Sequence, residues 1–214
     1  FRIPLAAGTD KMSERIPVGS SRLYVKVEGR HDFDAWIDGV KAGNGFITNG
    51  PMLTFSVDGH ASGEVLDFKK SRRVTATSTA RSLHPFSRLQ ILVNSRVVAE
   101  VRNPTRNEDG IYEASINFPI ELAESSWIAS RVASTPGVDE AILPRRMTVF
   151  AHANPVYFLE DGKPVRVEES IDYLKLYLQY TQHWFRTAAN FETPVEKRDA
   201  LQLTERALEI YQGL

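Results

Sequence analysis

The residue with the clearest chemical potential near the start of the chain is Asp10, which follows an apolar run and a Gly8-Thr9 pair. A run of this kind is typical of the last strand of an α/β hydrolytic domain, where a short carboxylate just beyond the strand end binds a hard or borderline cation. A single carboxylate at such a place also serves as a turn or cap residue. Asp10 is therefore a candidate metal ligand with a structural alternative.

The five histidines do not form a ligand set on spacing. None is separated from another by three or four residues on a predicted helix, and the sequence has no His-x-His motif and no cysteine. Metal sites need several donors at matched spacing, so surface or singly hydrogen-bonded roles are expected for these residues. They are His31, His60, His84, His152 and His183. His152 stands out because it ends a predicted strand beside Asn154 and Pro155.

Composition excludes some classes of function. The chain has 214 residues and a formal net charge of −1 with interspersed acids and bases, which argues against a nucleic-acid binder. No apolar run approaches the ~20 residues of a membrane span. The cell compartment is left open. The basic run 69–73 is interpreted first as a solvated hairpin face and second as a phosphate-binding patch.

The middle of the chain has a β period. Short segments are bounded by turn residues at near-regular spacing, which predicts an antiparallel β-sandwich of immunoglobulin-like architecture. The expected strands are 52–57, 73–80, 88–93, 97–101, 111–118, 127–133 and 148–152. Asn49-Gly50-Pro51 is interpreted first as the turn into this sandwich, and second as a loop that touches substrate.

Helical patterns flank the β region. Asp32 is predicted to cap a short helix that ends at Gly43, in the left-handed conformation. After residue 168, two helices are expected, the second capped by Thr193, begun at Pro194 and closed by a Glu196 capping box. The short link between them predicts a helical hairpin. An aromatic stripe on the first of these two helices is interpreted as packing: Tyr173, Tyr177, Tyr180 and Trp184.

Several stretches resemble the C-terminal part of the carbaryl-hydrolase-like metallohydrolases, a branch of the polymerase-and-histidinol-phosphatase superfamily. The most specific is Thr48-Asn49-Gly50-Pro51, and the similarity is scattered over nearly the whole chain. The other stretches are residues 7–10, 18–25, 36, 42–47, 52–53, 126–131 and 151–157. The resemblance implies that residues 1–48 are a remnant of the catalytic domain. Together with the patterns described above, this divides the chain into that remnant (1–48), the sandwich (49–155) and a helical hairpin packed on the rest (156–214).

The same resemblance implies a parent hydrolase that acts on an ester, a carbamate or a phosphoester. Its divalent metal ions (Zn, Mn or Fe) would be held by motifs in an N-terminal catalytic domain, with Asp10 as the last ligand. Arg22, Thr48 and Asn49 would lie in a loop on the substrate side. Two features depart from the family pattern: Met12 stands where many members carry a histidine, and the His-x-His motif is absent.

We therefore expect an accessory scaffold that is inactive by itself, whose partner is a catalytic domain encoded ahead of Phe1. A homo-oligomer is a further expectation, because a second copy or the hairpin would cover apolar residues near Ile3 and Trp36. The alternative function is an immunoglobulin-like module that binds carbohydrate or protein. A row of exposed aromatics on one sheet face would favour this alternative.

Overall fold

The computed structural model describes residues 2–11, 14, 16–134 and 148–213. The chain divides into two compact units, Phe1–Val165 and Arg166–Leu214. The described residues form thirteen strands and three helices, so the predicted class, mainly β with helices, is confirmed. The strands of the first unit are β1 (Arg22–Val25), β2 (Gly45–Thr48), β3 (Met52–Val57), β4 (His60–Ala61), β5 (Val65–Phe68), β6 (Arg72–Ser82), β7 (Arg88–Val93), β8 (Arg96–Arg102), β9 (Thr105–Arg106), β10 (Tyr112–Leu122), β11 (Ser126–Ala133), β12 (Ala151–Ala153) and β13 (Val156–Glu160).

Two sheets are formed. In the larger sheet β11 is central, with β7 and then β8 on one side and the consecutive strands β12 and β13 on the other. Beyond them, β2 pairs with β12, β1 pairs with β2, and β5 pairs in parallel with β13. The smaller sheet has the order β4-β3-β6-β10-β9.

The hydrophobic core combines buried side chains from both sheets. Its largest fully buried members include Phe86 and Phe158. On β6, alternate residues Val74, Ala76, Ser78 and Ala80 are buried, which confirms the face predicted from the period of two. The Ser78 and Ser130 hydroxyls lie 2.7 Å apart and join the two sheets inside this core.

The pattern of apolar, polar and turn residues in the sequence predicted most strands at their observed positions. The segments predicted at 52–57 and 88–93 match β3 and β7, and the other β predictions overlap observed strands. The strands β2, β4, β5, β9 and β13 were not predicted. Two of them, β4 and β9, have only two residues each, and the other three lack a clean alternation of apolar and polar residues.

The expected strand before Asp10 is not observed. Residues 2–11 form no helix or strand. Pro4 has no backbone donor, and the backbone N–H of Leu5 donates to a side chain, Asn154 Oδ1, instead of a neighbouring strand. The predicted boundaries at 48/49 and 155/156 both fall inside the first unit, because β1, β2 and β13 belong to the larger sheet.

Helix α1 (Phe33–Ala42) has the predicted ends. The Asp32 carboxylate accepts from the N–H of Ala35 at 2.9 Å, and Gly43 follows in the left-handed conformation with φ 73°. Gly39 lets the helix approach β1, since a Cβ there would collide with the Val25 side chain.

The second unit is the pair of helices α2 (Glu168–Thr187) and α3 (Pro194–Gln212), which contact each other as predicted. Thr193 caps α3, accepting from Glu196 N at 3.2 Å. The Glu196 carboxylate accepts from the N–H of Glu192, one residue ahead of the predicted capping-box partner. The packing of this hairpin on the rest of the chain stays a prediction.

The aromatic stripe of α2 has exposed side chains. Tyr173, Tyr177, Tyr180 and Trp184 are 54–67% exposed, although this stripe was interpreted as packing. None of the helices formed by the described residues has both the length and the apolar character needed to cross a membrane.

We expect Phe158→Ala to lower the free energy of unfolding by about 3–5 kcal/mol, because Phe158 is fully buried and its loss leaves a cavity. Phe33→Ala is the matched control, since Phe33 is 71% exposed, and should change that free energy by less than about 0.5 kcal/mol. Urea unfolding measures both. Equal effects of the two substitutions would place the core elsewhere.

Candidate functional site

Residues 2–11, which carry Asp10, form an extended segment that we name the strap. Its first fixed point is Leu5, whose N–H donates to Asn154 Oδ1 at 2.7 Å. Beside it, the Arg2 guanidinium lies 5.9 Å from the centre of the Tyr157 ring. The strap is thus bound to the larger sheet by a side chain rather than by strand pairing.

Asn154 is suited to this role because it lies between β12 and β13, where the strand is interrupted. The residue is only 2% exposed. Its backbone N–H donates to Gly45 O at 3.0 Å and its side-chain Nδ2 lies 3.3 Å from the same oxygen, which leaves Oδ1 for Leu5. Every polar group of its side chain is therefore used in holding backbone.

The second fixed point of the strap is Thr9. Its hydroxyl accepts from the N–H of Gly19 at 2.8 Å and lies 3.4 Å from the carbonyl of Ser21. Asp10, the next residue, is exposed and has φ 44°, a left-handed conformation that Asp tolerates better than most residues. Among the described residues, no hydrogen bond or ion pair is made by the Asp10 carboxylate.

The described residues do not fit a catalytic metal on their own. Within residues 2–11, 14, 16–134 and 148–213, no three His, Asp or Glu side chains converge into a group that could hold an ion. A catalytic zinc site needs about three protein donors, and Asp10 supplies one. The expected ligand position Met12 lies outside the described residues.

Thr48 and Asn49 form the corner at which the chain leaves β2 and enters β3. The Thr48 hydroxyl lies 2.7 Å from Pro51 O and 3.1 Å from Phe150 O, and it accepts from Gly50 N at 3.0 Å. The Asn49 amide donates to Thr148 O and accepts from Phe150 N, both at 2.8 Å. These bonds support the turn interpretation, because both side chains are committed to backbone groups.

Arg22 is directly opposite Thr48 in the pairing of β1 with β2. Its Nε atom is shielded from solvent and has no hydrogen-bond partner. The guanidinium carbon lies 5.9 Å from the centre of the Tyr24 ring. The Nε–H of Arg22 is therefore a buried donor without an acceptor.

Arg22 and Asn49 line one pocket of about 380 Å³, so the structure brings these two predicted residues together. Thr48 is fully buried behind it, and Asp10 is not among its lining residues. The pocket is also lined by the loop 17–20, Tyr24, Gly50, residues 82–84 and Val149. His84 also lines the pocket, because it lies in the turn that follows β6. Nothing in the sequence indicated this, since His84 is not close in sequence to another histidine.

His152 is held by its surroundings in the neutral form. Burial, and secondarily the positive charge of Arg131, lower the pKa of the His152 imidazole, against a hydrogen bond of 2.8 Å to Ala153 O. Arg131 is the strand neighbour of His152 on β11, and Ile47 is its neighbour on β2. The structural role suggested for His152 fits this arrangement.

A polar network on β7, β8 and β11 was missed from the sequence. Arg131 Nε donates to Gln90 Oε1 at 2.7 Å, and Gln90 in turn donates to Glu100, which also binds Arg102. The hydrogen bond from Gln90, and then that from Arg102, lower the pKa of the Glu100 carboxyl. These residues are dispersed in sequence, and strand pairing alone brings them together.

No family model, no curated protein and no solved structure matches this chain.

We expect Asn154→Ala to release the strap and to lower the free energy of unfolding by about 1–3 kcal/mol, because the Leu5 N–H loses its acceptor. Hydrogen exchange should show faster exchange at Leu5 than in the wild type. Asn117→Ala, at an exposed position of β10, is the control and should alter neither quantity. Unchanged exchange at Leu5 in Asn154→Ala would contradict the strap contacts.

The lowered pKa of His152 predicts a pH dependence of stability. Below the ordinary value of 6.5, the imidazole is protonated more readily in the unfolded chain than in the fold, so stability should fall as the pH is lowered from 7.5 to 5. Urea unfolding across this range should show a smaller fall in His152→Gln. His31→Gln, at an exposed histidine, should retain the wild-type fall. Parallel profiles for wild type and His152→Gln would refute this account.

Proposed function

We propose that this chain is the accessory scaffold of a metal-dependent hydrolase and has no hydrolytic activity of its own. In this proposal the sandwich holds the strap, and the strap presents Asp10 to a catalytic domain that supplies the other metal ligands. The single observation that carries the proposal is the arrangement of Asp10. It follows two anchored residues, Leu5 and Thr9, and its exposed carboxylate is left without a protein partner among the described residues.

The stretches that resemble the metallohydrolase family support this proposal through their contacts with one another. Thr9 bonds to the stretch that contains Gly19 and Ser21. Asn154 bonds to the strap and to Gly45. Stretches that are far apart in sequence thus form one connected neighbourhood around the strap, as expected if they act together.

We also propose that the sandwich is immunoglobulin-like. In such domains the sheets have the strand orders A-B-E-D and C-F-G. The order β3-β6-β10-β9 corresponds to the first, and β7-β11-β12/β13 corresponds to the second. The chain changes sheets between β6 and β7, between β8 and β9, and between β10 and β11, which supports the same assignment. That residues 1–48 are a remnant of the catalytic domain is part of this proposal.

A protein-binding module is the second candidate, and the exposed aromatic stripe of α2 favours it. Aromatic side chains are enriched in the centres of protein interfaces. A carbohydrate-binding platform on a sheet has less support, because such a platform needs a row of exposed aromatic side chains. Among the described strands, Tyr24 is the one aromatic residue that is exposed, and its exposed fraction is 37%. The homo-oligomer stays a prediction. The apolar residues that a second copy was expected to cover are exposed in the single chain, Ile3 by 78% and Trp36 by 37%.

Expression of the complete reading frame tests the scaffold proposal. We expect a product that contains tightly bound divalent metal, measured by mass spectrometry, and that hydrolyses nitrophenyl esters, carbamates or phosphodiesters. Asp10→Asn should reduce the bound metal and lower the hydrolysis rate at least about tenfold, because a ligand is lost. Asp34→Asn, at an exposed residue in the first turn of α1, is the matched control and should retain both.

Two results would contradict the proposal. One is a complete product without bound metal, or one whose Asp10→Asn variant keeps its full metal content. The other is tight, stoichiometric binding of Zn²⁺ by the 214-residue chain alone in a calorimetric titration.

A further inference from the structure

The pocket lined by Arg22 and Asn49, which we name the corner pocket, has an excess of unused hydrogen-bond donors. The Nε atom of Arg22 is cut off from solvent without an acceptor. The described residues that line the pocket include no Asp or Glu. A guanidinium whose Nε–H lacks both water and an acceptor is unfavourable, because burial of that donor removes hydration that nothing replaces.

We propose that the corner pocket is a binding site for a small molecule with an oxyanion, a carboxylate or a phosphate, attached to an apolar body. The guanidinium of Arg22 binds the oxyanion. Arginine suits this role because its planar donors match two oxygens of one carboxylate or phosphate group at once.

Two further donors line the same pocket. The hydroxyl of Ser20 and the imidazole of His84 have no hydrogen-bond partner among the described residues. Ser20 lies in the loop that Thr9 anchors, and His84 lies in the turn after β6. The donors therefore come from separate segments, and their convergence depends on the fold.

The rest of the pocket wall sets the class of ligand. Apolar side chains dominate it: Pro17, Val18, Tyr24, Leu83 and Val149. The volume of about 380 Å³ falls at the lower end of the range for small-molecule sites. An aromatic ring with one oxyanion matches both the size and the wall, whereas a bare inorganic anion would leave the apolar part unfilled.

The backbone around the pocket is already committed, which limits the oxyanion to side-chain donors. The N–H of Gly19 donates to Thr9, that of Gly50 to Thr48, and that of His84 to the Ser82 hydroxyl. Asn49 is likewise occupied by Thr148 and Phe150. Arg22 is thus the residue on which recognition of charge depends.

This inference does not depend on the proposed hydrolase, because the corner pocket lies within the 214-residue chain and needs no metal. Titration of phenyl phosphate, benzoate and the neutral analogue benzyl alcohol into that chain, in 150 mM NaCl, tests it by calorimetry. We expect phenyl phosphate or benzoate to bind with a dissociation constant of about 1 mM or tighter, and benzyl alcohol at least about tenfold more weakly. The anion that binds more tightly identifies the headgroup.

Variants separate recognition from folding. Arg22→Met should bind the preferred anion at least about tenfold more weakly, while the melting temperature without ligand stays the same or rises, because an unsatisfied cation is removed. Ser20→Ala should weaken binding by a smaller factor. Arg198→Gln, at an exposed arginine of α3, is the control and should bind as the wild type does.

Any of four results overturns the proposal. In the first three, both anions fail to bind the wild type at 10 mM, benzyl alcohol binds as tightly as the preferred anion, or Arg22→Met retains wild-type affinity. A fall of more than about 4 °C in the melting temperature of ligand-free Arg22→Met would also overturn it, because Arg22 would then stabilise the fold through partners inside the protein.

Discussion

The corner formed by Thr48 and Asn49 is the constraint on which the rest of the first unit depends. At this point the chain leaves the larger sheet and enters the smaller one, so its backbone groups lose their strand partners and need others. The two side chains supply these partners through bonds to residues 148–150 and to Pro51. Their commitment fixes how the edge of one sheet meets the start of the other.

The features with chemical potential lie beside this corner. Arg22 pairs with Thr48 in the sheet, lines a pocket with mostly apolar walls, and has a buried Nε atom without an acceptor. The strap is tied to the loop next to Arg22 by Thr9 and to the interruption of the strand by Asn154. The first unit therefore holds two charged side chains, the exposed carboxylate of Asp10 and the partly buried guanidinium of Arg22.

The features that depend on residues close together in sequence, such as helix caps and strand alternation, were predicted correctly. The cap at Asp32, the left-handed Gly43 and the Thr193-Pro194 start of α3 were found because each depends on residues within one turn. Alternation predicted β6 for the same reason. The strap was predicted as a strand, since its apolar residues suit one, and only the distant Asn154 shows where its backbone bonds go.

The candidate site was only partly predictable. Arg22, Thr48 and Asn49 were singled out from a resemblance. The first interpretation of Asn49-Gly50-Pro51, a turn, agrees with the bonds of Asn49 to the backbone, but the sequence did not indicate that the Thr48 hydroxyl would also bond to backbone groups. The lack of an acceptor for Arg22 Nε, and the lack of acidic residues among the described pocket residues, depend on which distant segments the fold brings together, so the sequence did not show them. A crystal structure of the complete reading frame's product would show whether Asp10 is a metal ligand, as we propose. We expect a divalent ion with Asp10 about 2.0–2.2 Å away and its remaining ligands outside residues 1–214. An ion held wholly by residues of this chain, or Asp10 pointing into solvent far from any ion, would contradict it.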